Sequence, residues 1–251
     1  MYARCSNADG FWKVYGNKHG IIRKQGKEKG LMETNREFVP KVKICGVTRI
    51  EEAQYLNEIL PAYAGFVFWE KSRRNVSFAQ AETICRQLDE RIQRVAVTVS
   101  PKPELLRAVQ DVGFDFLQVH GTLESKVLEQ CQIPLWCACN LKGPKDLEQL
   151  RQHKKITGYV VDAGTAGSGR TFDWMQCSDA VKKAKATVFS GKTFILAGGL
   201  NPNNVAEAIA LFSPDVVDVS SGVEGVQGKE KDLMGEFVCA VETAKPSRKK
   251  E

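Results

Sequence analysis

Cys45 stands two residues after Lys43 and just before Gly46, at the end of the short apolar string Val42-Lys43-Ile44-Cys45. Asp162 closes a second string, Gly158-Tyr159-Val160-Val161, where a carboxylate has little structural reason to be. Two further apolar runs end in Gly198-Gly199 and in Ser220-Ser221-Gly222. A thiolate can take a proton, and a partly buried carboxyl can give one because burial raises its pKa. Glycine and serine turns offer backbone N–H groups to a phosphate, and glycine lets the backbone approach its oxygens closely. These residue types together suggest proton transfer on a sugar phosphate.

Each of these residues also has a plainer reading. Cys45 is either an inert strand thiol or, with cations near it to lower its pKa, a reactive one. Asp162 is either a loop cap or a general acid. His120, in Gln118-Val119-His120-Gly121, either lines a site or is a satisfied structural histidine. In Lys71-Ser72-Arg73-Arg74 the choice lies between a solvated charge run and an arginine that clamps a carboxylate with two parallel bonds. Strand alternation puts Lys43 and Cys45 on one face, with Val42 and Ile44 on the other. The same parity groups Val160 with Asp162 and Gln118 with His120. For Lys43 the expectation is an interior ion pair, with Asp218 the carboxylate at hand, rather than catalysis.

Something must position these residues, and the sequence offers a repeated strand-then-helix alternation. Strands are expected at 42–45, 63–68, 94–99, 115–119, 134–138, 158–162, 193–197 and 216–220. Helical patterns separate them, among them 51–60, 78–88, 103–111, 203–212 and 231–243. Thr48 with Glu51 reads as a capping box, and Ser77 and Asn201-Pro202 as helix openings. Eight such units imply an α/β fold, a (β/α)8 TIM barrel whose site lies at the carboxyl ends of the strands. A doubly wound open sheet is the other arrangement considered. In a barrel, the turns after strands seven and eight are where phosphate commonly binds, so Gly198, Gly199, Ser220, Ser221 and Gly222 are candidate phosphate ligands. The glycine-rich run 164–169 after Asp162 is expected to fold over the ligand.

Residues 1–39 alternate glycines and cations without a sustained period and read as an irregular extension; 40–244 form the barrel, and 245–251 a flexible basic tail. Met32, close to the first strand, is an alternative start. The 251 residues suffice for a full barrel core, and 43% hydrophobic with 26% charged residues is ordinary for a globule. No apolar run approaches the roughly 20 residues of a membrane span, and the amino terminus lacks the apolar core of a secretory signal. The eight cysteines include no CxxC pair, and Cys137-x-Cys139 is poor zinc-ligand spacing. Mostly reduced thiols, no metal and a cytoplasmic location are expected. The net charge of +6 is spread along helices and concentrated at the termini, which reads as solvated faces rather than a nucleic-acid surface. It would also draw in an anionic substrate.

Several of these strings together resemble the phosphoribosylanthranilate isomerase family of tryptophan biosynthesis, from about Lys41 to Val241. The specific elements are Lys43-Ile44-Cys45-Gly46, Gln118-Val119-His120-Gly121, Asp162 with Gly167-Ser168-Gly169 and Phe172-Asp173-Trp174, Ala197-Gly198-Gly199-Leu200-Asn201-Pro202, and Asp218-Val219-Ser220-Ser221-Gly222-Val223-Glu224. The resemblance implies an Amadori rearrangement without cofactor or metal. It implies Asp162 as general acid, Cys45 as general base, Arg74 as the ligand of the anthranilate carboxylate, and phosphate at Gly199 and Ser221. Trp69-Glu70, Asn75 and Ala166 depart from the family's usual residues, which bears on affinity and loop closure rather than on reaction type. The partner expected is a small sugar phosphate, without nucleic acid or membrane, for a monomer or homodimer. The alternatives are the related aminoaldose-to-aminoketose isomerase of histidine biosynthesis and a catalytically silent phosphate-binding barrel.

Overall fold

Parallel strands buried on both sides need apolar residues on alternate faces, one set for the helices and one for the interior. A computed structural model of the chain describes residues 2–6, 12–16, 38–141, 144–147, 150, 152–163 and 174–244. Eight strands close into a parallel barrel: β1 (Lys41–Cys45), β2 (Tyr63–Phe68), β3 (Gln93–Val99), β4 (Phe116–His120), β5 (Leu135–Leu141), β6 (Ile156–Ala163), β7 (Thr193–Leu196) and β8 (Val216–Val219). Each pairs with the next in sequence, and β8 closes the ring on β1. The helices are α1 (Ile50–Ile59), α2 (Phe78–Cys85), α3 (Pro103–Val112), α4 (Ser125–Gln130), α5 (Trp174–Ala186), α6 (Val205–Phe212) and α7 (Lys231–Thr243). Between β5 and β6 the described residues include a 3-10 turn, Pro144–Leu147.

Ile44, Phe66, Leu117, Val161, Leu196 and Val219 point outward and pack under the helices in one large buried cluster. Each such side chain contributes about 1.5–3 kcal/mol on burial. The opposite parity fills the barrel. Tyr63, Val95, Val97, Trp136, Val160, Ile195 and Val216 form a separate inner cluster, with Phe116 against it. The Tyr63, Phe116 and Trp136 rings meet at centroid distances of 4.6–5.5 Å. Gly158 makes room for this layer, since a Cβ there would lie 2.8 Å from Trp136 Cδ1.

Several local details differ from expectation. Helix α1 starts at Ile50, and Glu52 rather than Glu51 reaches back, accepting from the Thr48 and Arg49 backbone N–H groups at 2.7 and 3.2 Å. Ser77 caps α2 as expected, accepting from Gln80 N. Asn201-Pro202 does not open α6. Asn201 and Asn204 instead fold a turn on themselves, and the helix begins at Val205. Within the extension read as irregular, Tyr2–Ser6 and Trp12–Gly16 pair antiparallel. Among the described cysteines, Cys45, Cys85, Cys131 and Cys139 are free thiols, whereas Cys239 is disulfide-bonded. No described helix is long and apolar enough to cross a membrane.

Candidate active site

Strand register brings the chemistry of β1 and β8 together. Lys43 pairs with Asp218 across the ring closure, both point inward, and Lys43 Nζ meets Asp218 Oδ2 at 2.7 Å. Lys43 is 0% exposed, so the expected interior ion pair is present. Burial works against its ammonium, but Asp218 and then Cys45 outweigh this and push its pKa up. One layer higher on the same face, Cys45 pairs in register with Gly65 of β2. A Cβ at Gly65 would sit 2.8 Å from Cys45 Sγ and 3.2 Å from Lys43 Nζ, so the missing side chain is what admits both groups.

The inward positions at the carboxyl ends of the strands line one cavity of about 540 Å³. Going round the ring from β2, its wall carries Arg74, Cys45, Ser220 with Ser221, Gly198 with Gly199, Asp162, Asn140 and His120. Cys45 on β1 and Asp162 on β6 are three strands apart, and the β7 and β8 turns fill the arc between them. Gly198 and Gly199 both have positive φ, 89° and 66°, a turn that side-chain-bearing residues rarely adopt. The Asn204 amide ties the Gly199 carbonyl at 3.0 Å and fixes that turn. Ser220 Oγ donates to the Cys45 carbonyl at 2.9 Å, joining the β8 turn to the β1 end.

The groups on this wall differ in charge state. Burial pushes the Cys45 thiol up; the Lys43 ammonium draws it down but does not prevail. Both influences weighed from sequence are present at Cys45, cations near it and burial around it, and burial is the larger. Burial, with Lys43 adding to it, brings His120 down to about 4. Its Nε2 lies 2.9 Å from Gln118 Nε2, and with the amide N–H donating, the ring nitrogen must accept, as only neutral imidazole can. Arg74 is not an unengaged clamp. Its Nε and Nη2 donate to Glu224 at 2.6 and 2.7 Å while its stem crosses Gly46, where a Cβ would fall 2.4 Å from Arg74 Cδ.

Of the residues singled out from sequence, Cys45, Arg74, His120, Asp162, Gly198, Gly199, Ser220 and Ser221 meet at this cavity. Gly222 lies off the wall, where its lack of a side chain lets the β8 turn pack on the Leu200 carbonyl; a Cβ there would be 2.0 Å from that oxygen. The glycine run 164–169 lies outside the described residues. Trp69, singled out from sequence only as a departure bearing on affinity, lines the cavity; sequence reasoning gave no role to Asn140, which also lines it, or to Glu224 and Lys229 beside it. Asn140 was missed because β5 runs to Leu141, past the expected end at 138, and only that extension brings it to the wall beside Asp162.

A family model described as N-(5'phosphoribosyl)anthranilate (PRA) isomerase matches residues 42–240. An N-(5'-phosphoribosyl)anthranilate isomerase of Thermoanaerobacter sp. (strain X514) is 38% identical over 204 residues, covering 79% of this chain and 96% of the relative. The crystal structure of phosphoribosyl anthranilate isomerase from Thermotoga maritima superposes with a TM-score of 0.71 at 31% identity, over 81% of this chain and 98% of that one. A phosphoribosyl anthranilate isomerase solved in complex with reduced 1-(o-carboxyphenylamino)-1-deoxyribulose 5-phosphate has a TM-score of 0.67 at 30% identity, with the same coverage. The family-model match runs from the second residue of β1 through β8 and takes in every described wall residue named above, and the chain belongs to the phosphoribosylanthranilate isomerase family.

Proposed function

We propose that the chain converts N-(5'-phosphoribosyl)anthranilate to 1-(2-carboxyphenylamino)-1-deoxyribulose 5-phosphate, an aldose–ketose isomerisation of tryptophan biosynthesis, with Asp162 as acid and Cys45 as base. The observation that carries this assignment is the placing of Cys45 and Asp162 across one rim, with the Gly198-Gly199 and Ser220-Ser221 turns on the arc between them. The phosphate binds at those two turns. That anchors the ribose between the acid and the base. Arg74, one loop beyond Cys45, takes the anthranilate carboxylate. His120 and Asn140 complete the far wall as neutral groups.

Asp162 gives its proton to the furanose ring oxygen as the C1′–O bond breaks, and the nitrogen lone pair forms the C=N bond of a protonated Schiff base. The Cys45 thiolate then removes the C2′ proton, and those electrons neutralise the iminium to give an enolamine. Protonation at C1′ and loss of the enol proton leave the ketone. Each proton transfer contributes about 10²–10⁴-fold. Lys43, beneath Cys45, favours the thiolate as it forms.

The test follows the loss of anthranilate-type fluorescence from substrate generated in place. Cys45→Ala and Asp162→Asn are each expected to lower turnover by at least roughly 10² while a product analogue still binds. Near wild-type turnover in either variant would remove that residue from its role. A well-folded chain with no turnover would overturn the reaction itself.

A further inference from the structure

Glu224 closes the string Asp218-Val219-Ser220-Ser221-Gly222-Val223-Glu224, yet neither proton transfer nor phosphate binding uses it. It opens a two-stranded ribbon after β8 in which Glu224 pairs with Lys229. Its carboxylate is surrounded by cations. Oε1 accepts from Arg74 Nε and from Lys229 Nζ, and Oε2 from Arg74 Nη2 at 2.7 Å and Arg73 Nη2 at 2.6 Å. Side-chain exposure is 10% for Glu224, 11% for Arg74 and 1% for Lys229. Lys229 is itself anchored, its N–H to Glu52 Oε1 at 2.9 Å and its carbonyl to Arg49 Nη2 at 3.3 Å. The start of α1 thus holds the ribbon, and the ribbon holds the carboxylate.

Burying such a group is expensive, and a buried ion pair is weak evidence for a stability role. Its geometry points elsewhere. A guanidinium has two edges that can hold a carboxylate, Nε with Nη2 and Nη1 with Nη2. Glu224 occupies the first. The second belongs to a side chain on the cavity wall beside Cys45. Three cations around one carboxylate also leave the cluster positive, so a second carboxylate is attracted rather than repelled.

We propose that Glu224 is a positioning residue that grips Arg74 by its Nε–Nη2 edge, so that the Nη1–Nη2 edge receives the carboxylate of the substrate's aromatic amine. This rests on the Arg74 role given above. The rival is a competitor that the substrate must displace from Arg74. The two make opposite predictions for KM.

The experiment compares steady-state kinetics of the full chain, Glu224→Gln, Arg74→Ala and the double variant. Two substrates are used: N-(5'-phosphoribosyl)anthranilate and the same phosphoribosylamine carrying aniline, which lacks the carboxylate. Glu224→Gln is expected to raise KM for the anthranilate roughly tenfold while kcat changes by less than about twofold, the size of one weakened charge-assisted contact. The increase should vanish in the Arg74→Ala background and with the aniline substrate. Glu224→Asp keeps the charge and should restore much of the KM, which separates positioning from a folding defect. A lowered KM in Glu224→Gln overturns the proposal in favour of the competitor. An unchanged KM there, with a raised KM in Arg74→Ala, overturns the proposal and leaves the Arg74 role standing. An unchanged KM in Arg74→Ala removes both.

Discussion

At Cys45 two influences oppose each other. Burial lifts the thiol above its ordinary 9.0, and the Lys43 ammonium beneath it is the strongest pull downward. If the thiolate takes the C2′ proton, kcat/KM should rise with pH on a limb lying above 9.0. Lys43→Met should move that limb higher still, and it also leaves Asp218 buried without its cation, a loss of about 3–5 kcal/mol. Profiles measured at a temperature where both proteins are folded decide this; an unmoved limb would take Lys43 out of control of the thiol. His120 gives a second test. Its pKa is lowered from 6.5 to about 4, so the folded chain binds the proton less readily than the unfolded one. Its contribution is complete above pH 6.5 and is lost as pH falls towards 4. NMR titration of the His120 ring should give a midpoint near 4, and a value near 6.5 would contradict the neutral contact with Gln118. Cys45 and His120 were legible as candidates because each closes an apolar strand just before a glycine. Lys229 was not. It reaches the site only because the ribbon folds back on α1, and nothing adjacent in sequence marks it.

Among the elements, the strands were legible for a physical reason. A closed parallel barrel leaves each residue only two environments, so parity alone sends Ile44 under the helices and Lys43 inward. Helix starts were less legible. Glu51 and Glu52 are adjacent and equally able to cap, and the difference is that Glu52 also accepts the Lys229 N–H of a ribbon 177 residues away. Glu52 is fully buried by that contact, which a local spacing rule cannot anticipate. Gly65 tests how tightly the strand register holds the thiol. Its place opposite Cys45 follows from β1–β2 register, and a methyl group there would press on Cys45 Sγ, the Cys45 backbone and Lys43 Nζ at once. Gly65→Ala should lower kcat roughly ten- to a hundredfold by displacing the thiol, at a stability cost of about 1–3 kcal/mol. Kinetics and thermal melts read the two effects separately. Wild-type kcat in this variant would mean that the thiol's position tolerates the shift and that Gly65 serves folding alone.

Across the whole molecule, the barrel was legible because eight apolar runs recur with helical patterns among them, a count that suits a closed ring. The ring closure itself makes the site, since the Lys43–Asp218 pair joins residues 175 apart in sequence. The pairing of Tyr2–Ser6 with Trp12–Gly16 was not legible, because their surroundings alternate glycine and cations without the regular period that marks the barrel strands. Every barrel strand lies after Met32, and β1 is closed by β8 on one side and β2 on the other, so no hydrogen-bonded edge is left for the extension to cover. We therefore expect a chain starting at Met32 to keep a single cooperative thermal transition and wild-type turnover. Strand closure supplies the cooperative unit, and every group assigned to catalysis or binding lies within 43–229. Calorimetry and the fluorescence assay on the shortened chain test this together. Loss of cooperativity would show that the barrel leans on the amino-terminal pair. Retained cooperativity with lost turnover would place part of the active-site geometry under its control.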